Sequence, residues 1–317
     1  MNWRNEGADR SGVIVFNDDY SMNRRHLLKS AAIGAGLSSL PWKSSAQKAG
    51  DDWLTFAVQQ YTFNKQLRSG ELSMLDYPST VVGGTGIKAL EYFNGHMEEK
   101  AGDKTFFNEV RKRCDDLGVV NTMMLCRSKP ALDAADSAER QAAIEGYRPW
   151  IEAMKILGGD YIRVDVRSGG DPEEQKKYAV DGLKALCAVA ASDYEMGIVV
   201  ENHGGHSGNG KWVAEVMKAV DLENCGTLPD FQNFKDYDPY LGVEEMMPWA
   251  KIVCAKSKAF DDEGNEVNVD YGRMLKIVKD SGFTGYIGIE FEGHDVDPIT
   301  GINLTKALIE RVMAELA

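Results

Sequence analysis

The chain has 317 residues, 43% hydrophobic and 27% charged, an ordinary globular composition with enough apolar content to bury a sizeable core. Its formal net charge of -13, from 49 acidic against 36 basic residues, opposes a nucleic-acid partner, because phosphates call for clustered Lys and Arg. The five cysteines, Cys114, Cys126, Cys187, Cys225 and Cys254, show no CxxC spacing and indicate neither a disulfide framework nor a cysteine zinc site; most read as small core residues.

In chain order, the first distinct segment is MNRRHLLKSAAIGAGLSSLPWKSSA, residues 22–46, which resembles a twin-arginine export signal. Arg24 and Arg25 form the arginine pair, and the weakly apolar stretch 27–40 is too short and glycine-rich to span a bilayer. Small residues precede a cut after Ala46. The resemblance implies the twin-arginine translocase as a partner during export, a periplasmic or otherwise exported protein, and no stable membrane anchor. Residues 1–46 are then a signal region, with Met22 an alternative start, and residues 47–317 the working domain. An amphipathic first helix is the competing reading.

From residue 54 onward, eight short apolar runs follow one another: LTFAVQQYTF (54–63), IKALEYF (87–93), VVNTMMLC (119–126), YIRVDVR (161–167), GIVVENHGG (197–205), GTLPDFQNF (226–234), KIVCAKSKAF (251–260) and YIGIEFEG (286–293). Between them lie segments with apolar residues every three or four positions, such as 104–118, 139–159, 173–197 and 269–282, each closed by a glycine. Strands alternating with helices imply parallel strands joined by crossovers. Eight such units in one uninterrupted chain predict a single-domain α/β fold, the (β/α)8 TIM barrel. An open doubly wound sheet would carry a glycine-rich phosphate loop after its first strand, and FAVQQYTFNKQ has none.

In such a barrel the chemistry gathers at the carboxyl ends of the strands. There the apolar runs are interrupted by Glu201, Asp230 and Glu290, with His203 two residues past Glu201 on the same side. A lone acid near a strand end is most often a surface or capping group. Three buried carboxylates in one barrel mouth instead repel each other unless a cation lies between them, which predicts a divalent metal held by Glu201, Asp230 and Glu290. Mn²⁺, Mg²⁺, Co²⁺ and Zn²⁺ all suit that donor set. Gln60, Glu91, Arg163 and Asp165 read as hydroxyl binders at the rim, with Arg163 and Asp165 equally a salt-bridged pair lining the barrel. Glu292 shares the direction of Glu290, and His96, His206 and His294 lie in glycine-flanked loops, His206 being the one placed with the substrate binders.

ENHGG (201–205), LPDFQNF (228–234), AKSKAFD (255–261) and YIGIEFEG (286–293), in this order on these runs, resemble the xylose-isomerase-like sugar isomerase/epimerase superfamily. The resemblance implies one divalent metal held by Glu, Asp, His and Glu from strands five to eight, with Glu201, Asp230 and Glu290 matching the first, second and fourth. The third departs: where the family has a His-x-Lys stretch, this chain reads Cys254-Ala255-Lys256. Cys254, His203 or water then completes the shell, or Lys256 takes the place. Asn233 stands where several members have a substrate-binding histidine. The implied activity is isomerisation or epimerisation of an unphosphorylated sugar or keto-sugar through an enediolate, with Glu201, Glu290, His203 and Lys256 as the catalytic set. A lyase or hydratase acting on a 3-keto sugar with His203 as acid/base is the first alternative. A non-catalytic carbohydrate-binding barrel is the second. A homo-oligomer is compatible with all three.

Overall fold

The computed structural model describes residues 53–317; the arginine pair and the expected cut after Ala46 lie outside the described residues. Each of the eight apolar runs contains a strand. They are β1 (Leu54–Gln59), β2 (Ala89–Phe93), β3 (Val120–Leu125), β4 (Tyr161–Val164), β5 (Gly197–Glu201), β6 (Cys225–Leu228), β7 (Val253–Ser257) and β8 (Gly285–Phe291). All neighbouring pairs are parallel, in the order β6-β5-β4-β3-β2-β1-β8-β7.

The outer ring is α1 (Tyr77–Thr85), α2 (Lys104–Leu117), α3 (Ser137–Leu157), α4 (Pro172–Tyr194), α5 (Gly210–Val220), α6 (Pro239–Met246), α7 (Tyr271–Asp280) and α8 (Pro298–Leu316). A (β/α)8 barrel results, as the alternation of strands and helices requires. None of the described helices is long and apolar enough to cross a membrane.

The seam between β6 and β7 is closed by isolated bridges rather than a full ladder. Thr227 pairs with Ala250 and Asp230 with Cys254, tied by Lys251 N to Thr227 O at 3.0 Å and Cys254 N to Pro229 O at 2.9 Å. Pro229 has no N–H to give a ladder, so β6 ends at Leu228, immediately before Asp230.

Alternation along each strand sorts side chains to two sides. Ile198 and Val200 of β5 pack in the large cluster shared with the helices, while Val199 joins Ala57, Ala89, Met123, Tyr161, Leu228, Ile252, Cys254 and Tyr286 in a second cluster. The second cluster fills the barrel, and Glu201, two residues past Val199, sits above it.

Seven of the eight outer helices begin with a side-chain cap: Asp103, Asp136, Asp171, Asn209, Asp238, Asp270 and Asp297 each accept a bond from a first-turn N–H. Each such cap contributes about 1 kcal/mol. The six aspartates among them account for the surface role expected of most carboxylates near element ends; Glu201, Asp230 and Glu290 cap none of the described helices. The helix ends differ in one place from the expected glycine closure. α4 stops at Glu195, a non-glycine residue at φ 55°, and Gly197 opens β5 instead.

Candidate active site at the carboxyl ends of the strands

The strand ends bring Glu201, Asp230, Lys256 and Glu290 together, exposed by 2%, 0%, 2% and 3% respectively. Local folding explains the placement. Gly204 and Gly205, at φ 80° and 54°, turn the chain out of β5, and a Cβ on Gly205 would meet Arg167 O at 2.2 Å. Only glycine makes that approach without displacing backbone. Asn202 faces away from Glu201 and pins the next strand: its Oδ1 accepts from Asp230 N at 2.8 Å and its Nδ2 donates to Asp230 O at 2.9 Å. Asp230 Oδ1 in turn accepts from the backbone N–H groups of Gln232 and Asn233 at 2.7 and 2.9 Å, leaving Oδ2 aimed at the site.

Three polar side chains connect the carboxylates. Asn233 Nδ2 donates to Glu201 Oε1 at 2.8 Å and Asp230 Oδ2 at 3.1 Å. Lys256 Nζ lies 3.5 Å from Asp230 Oδ2, 3.1 Å from Glu290 Oε2 and 3.5 Å from Glu292 Oε2, and donates to Asn233 Oδ1 at 3.2 Å. Arg163, 1% exposed, puts Nη1 2.7 Å from Asp165 Oδ1 and Nη2 2.5 Å from Glu201 Oε2. The Arg163–Glu201 contact is a charge pair in poor hydrogen-bond alignment, since neither atom has an aligned partner.

Burial and charge act against each other on these groups. For Glu201 burial favours the neutral form, but Arg163, His203 and Lys256 together hold the carboxyl below its usual range. Burial pushes Asp230 up to about 6 and Glu290 up to about 7, with Lys256 opposing in both cases. Lys256 is kept firmly protonated by Asp230, Glu290 and Glu292 despite its own burial. Burial, opposed by Glu201, lowers His203 and favours its neutral imidazole.

The remaining expected residues are placed as follows. Glu91 is not at the rim: it is fully buried inside the barrel, its oxygens lying where a Cβ on Gly288 would sit, 2.6 and 2.7 Å away. Burial, reinforced by Glu290 and Glu201, pushes it up to about 8, and neither oxygen has an aligned partner. Gln60 is tied to the β1–β2 rim, accepting from Phe93 N at 3.0 Å and lying 3.2 Å from His96 Nδ1. Asp165 gathers Arg163, Arg167 at 3.6 Å and Arg127 at 3.9 Å, so the pair with Arg163 does line the barrel. His203 is partly buried, with Nδ1 3.0 Å from Arg167 Nη1. His206 is half-buried and turned to Gly170 O at 3.0 Å. Glu292 and His294 line a cavity of about 850 Å³ beside the charged cluster; Asp165, Arg167 and Phe93 line another of about 810 Å³.

Asn202, Gly288 and Arg167 carry structural weight that sequence reasoning missed. An amide between two site residues was a usable signal for Asn202; nothing in a lone glycine marks the strand it faces.

Asp230, Cys254 and Glu290 are spaced as a three-residue metal site, their donor atoms all within 4.8 Å of one another. The details oppose a divalent ion there. Cys254 Sγ lies 3.1 Å from Asp230 Oδ2 and 3.5 Å from Glu290 Oε2, and burial beside those acids raises it well above the ordinary thiol range, which favours the protonated thiol over the thiolate a metal would need. Lys256 engages the same two oxygens, and Glu201 is taken by Arg163 and Asn233. The four-donor cage implied by the family resemblance is therefore not what these residues form.

The fold and the acidic strand ends define a (β/α)8 barrel with its polar site at the C-terminal mouth. A family model described as xylose isomerase-like TIM barrel matches residues 84–312, and the chain belongs to that family. Among solved structures, the IolI protein with a bound zinc atom superposes with a TM-score of 0.65 at 15% identity, over 83% of this chain and 99% of that one. 3-Keto-D-glucoside 4-epimerase from E. coli gives 0.63 at 13% identity, over 81% and 99%. A 75-residue stretch is 33% identical to the 3'-dehydrocarminate deglycosidase alpha subunit of Microbacterium sp., covering 22% of either chain.

Proposed function

We propose that this barrel is a sugar-modifying enzyme, an isomerase or epimerase that moves a proton at the carbon beside the carbonyl of an unphosphorylated sugar or keto-sugar. The observation that carries the reading is the convergence of Glu201, Asp230 and Glu290 at the strand ends, each almost wholly buried, with Asp230 and Glu290 held by Lys256 and Glu201 by Arg163. A base near neutrality suits proton transfer at ordinary pH, and burial brings Glu290 to about 7. Lys256 and Arg163 supply fixed positive charge where an enediolate oxygen would develop negative charge. Asn233 and Asp165 are the polar groups available to orient sugar hydroxyls. A 3-keto-glucoside epimerase among the similar folds supports this substrate class.

A lyase or hydratase reaction on a 3-keto sugar is favoured by His203, whose neutral imidazole lies beside Glu201 and Arg167. The arginine pair and short apolar stretch before residue 47 support export by the twin-arginine route ahead of the 47–317 domain. Incubating the protein with a panel of keto-sugars in D₂O and reading carbon-bound deuterium by NMR tests the proposal. Deuterium at the α-carbon supports it, an absorbing enone moves the assignment to elimination, and binding without exchange leaves a carbohydrate-binding barrel.

A further inference from the structure

We infer that Lys256 is the resident cation of this site: its ammonium group holds Asp230, Glu290 and Glu292 together where the family resemblance puts a divalent ion, so the folded site is complete without a metal.

Three independent features of the geometry carry this. First, Lys256 and Glu290 are register partners on β7 and β8, so the ladder itself places the ammonium against the carboxylate. Its four partners, Asp230, Glu290, Glu292 and Asn233, all lie within 3.5 Å. Second, the Lys256 backbone is fixed from outside the barrel: Tyr271 Oη and Gln232 Nε2 donate to its carbonyl at 2.8 and 3.0 Å. Third, the position expected to hold an imidazole is Cys254, whose thiol donates to the same two oxygens that Lys256 engages. A divalent ion would have to displace both a protonated amine and a thiol proton from Asp230 Oδ2 and Glu290 Oε2. Like-charge repulsion between an ammonium and a dication drawing on the same two carboxylate oxygens in so buried a space sets the two occupants against each other.

The catalytic consequence rests on the proposed reaction: the ammonium group, a hydrogen-bond donor of fixed charge, takes over stabilisation of the sugar oxyanion.

The test is cation content and cation binding in the purified full chain, without any turnover assay. Metal analysis by mass spectrometry after gel filtration, and calorimetric titration with MnCl₂ and ZnCl₂, are run on wild type, Lys256→Gln and Lys256→Arg. The expected result is substoichiometric metal and no saturable heat for wild type and Lys256→Arg. Lys256→Gln gains a saturable site, and Mn²⁺ raises its Tm by several degrees while leaving wild type unmoved. One tightly held divalent ion in wild type, unaffected by Lys256→Gln, overturns the inference. If Lys256→Gln does not fold even with Mn²⁺, the wild-type metal content alone decides. A sugar panel without exchange would remove the proposed reaction and leave this result standing.

Discussion

Lys256 Nζ stands 3.1 Å from Glu290 Oε2, directly across the β7–β8 ladder, with both side chains almost wholly buried. A charge pair so enclosed stabilises little relative to an apolar pair, but removing one partner leaves the other charge uncompensated.

Lys256→Gln is therefore expected to destabilise the fold by about 3 kcal/mol or more at pH 8. The loss shrinks at pH 5, where Asp230 and Glu290, raised to about 6 and 7, take up protons. Thermal melts of both proteins at the two pH values check this; an equal loss at both means that the carboxylates are not the cause.

Glu91 gives a second pH signature. Its carboxyl is raised in the fold to about 8, against 4.5 for an ordinary glutamate. A raised pKa means the native state holds the proton more tightly, so the stabilisation is present below pH 4.5 and is lost as pH climbs through 8. Glu91→Gln, neutral at every pH, is expected to match wild type at pH 5 and exceed it at pH 9, with wild type losing up to about 1.4 kcal/mol per pH unit in between. Denaturant melts across that range measure the crossover, and a flat difference would remove the buried carboxyl from the account.

Gly205→Ala is expected to cost roughly 2 kcal/mol or more, since the backbone is left-handed there and the methyl meets Arg167 O. The same shift moves the loop that carries His203, so activity falls further than stability. Tm and turnover on one preparation check both halves.

His203→Ala separates the two chemistries. Proton exchange at the α-carbon is expected to persist in the variant if the reaction is isomerisation or epimerisation with Glu290 as base. Loss of an elimination product with exchange intact would instead make His203 the acid.

The barrel was legible because its signals are local: eight apolar runs each contain a strand, and Gly204-Gly205 marks where β5 turns outward. The convergence of Glu201, Asp230 and Glu290 was legible because each interrupts an apolar run at a strand end. What balances them was not. The sequence left an ion and Lys256 as alternatives, and that Lys256 and Arg163 point inward from β7 and β4 depends on strand direction and register rather than on spacing. Glu91 was misread as a rim residue because the space it fills is created by Gly288, nearly two hundred positions away and facing it across the barrel. The closed end of α4 was missed because Glu195 adopts a conformation that glycine usually takes.

The central claim, that Glu290 moves a sugar proton at a site balanced by lysine, meets its most direct test in one measurement. The rate of α-deuterium incorporation into whichever keto-sugar the wild type turns over is compared between wild type and Glu290→Gln. Glu290→Gln is expected to lose roughly a hundredfold or more in this rate, the usual worth of a positioned general base, with the fold intact. Undiminished exchange in Glu290→Gln would contradict it.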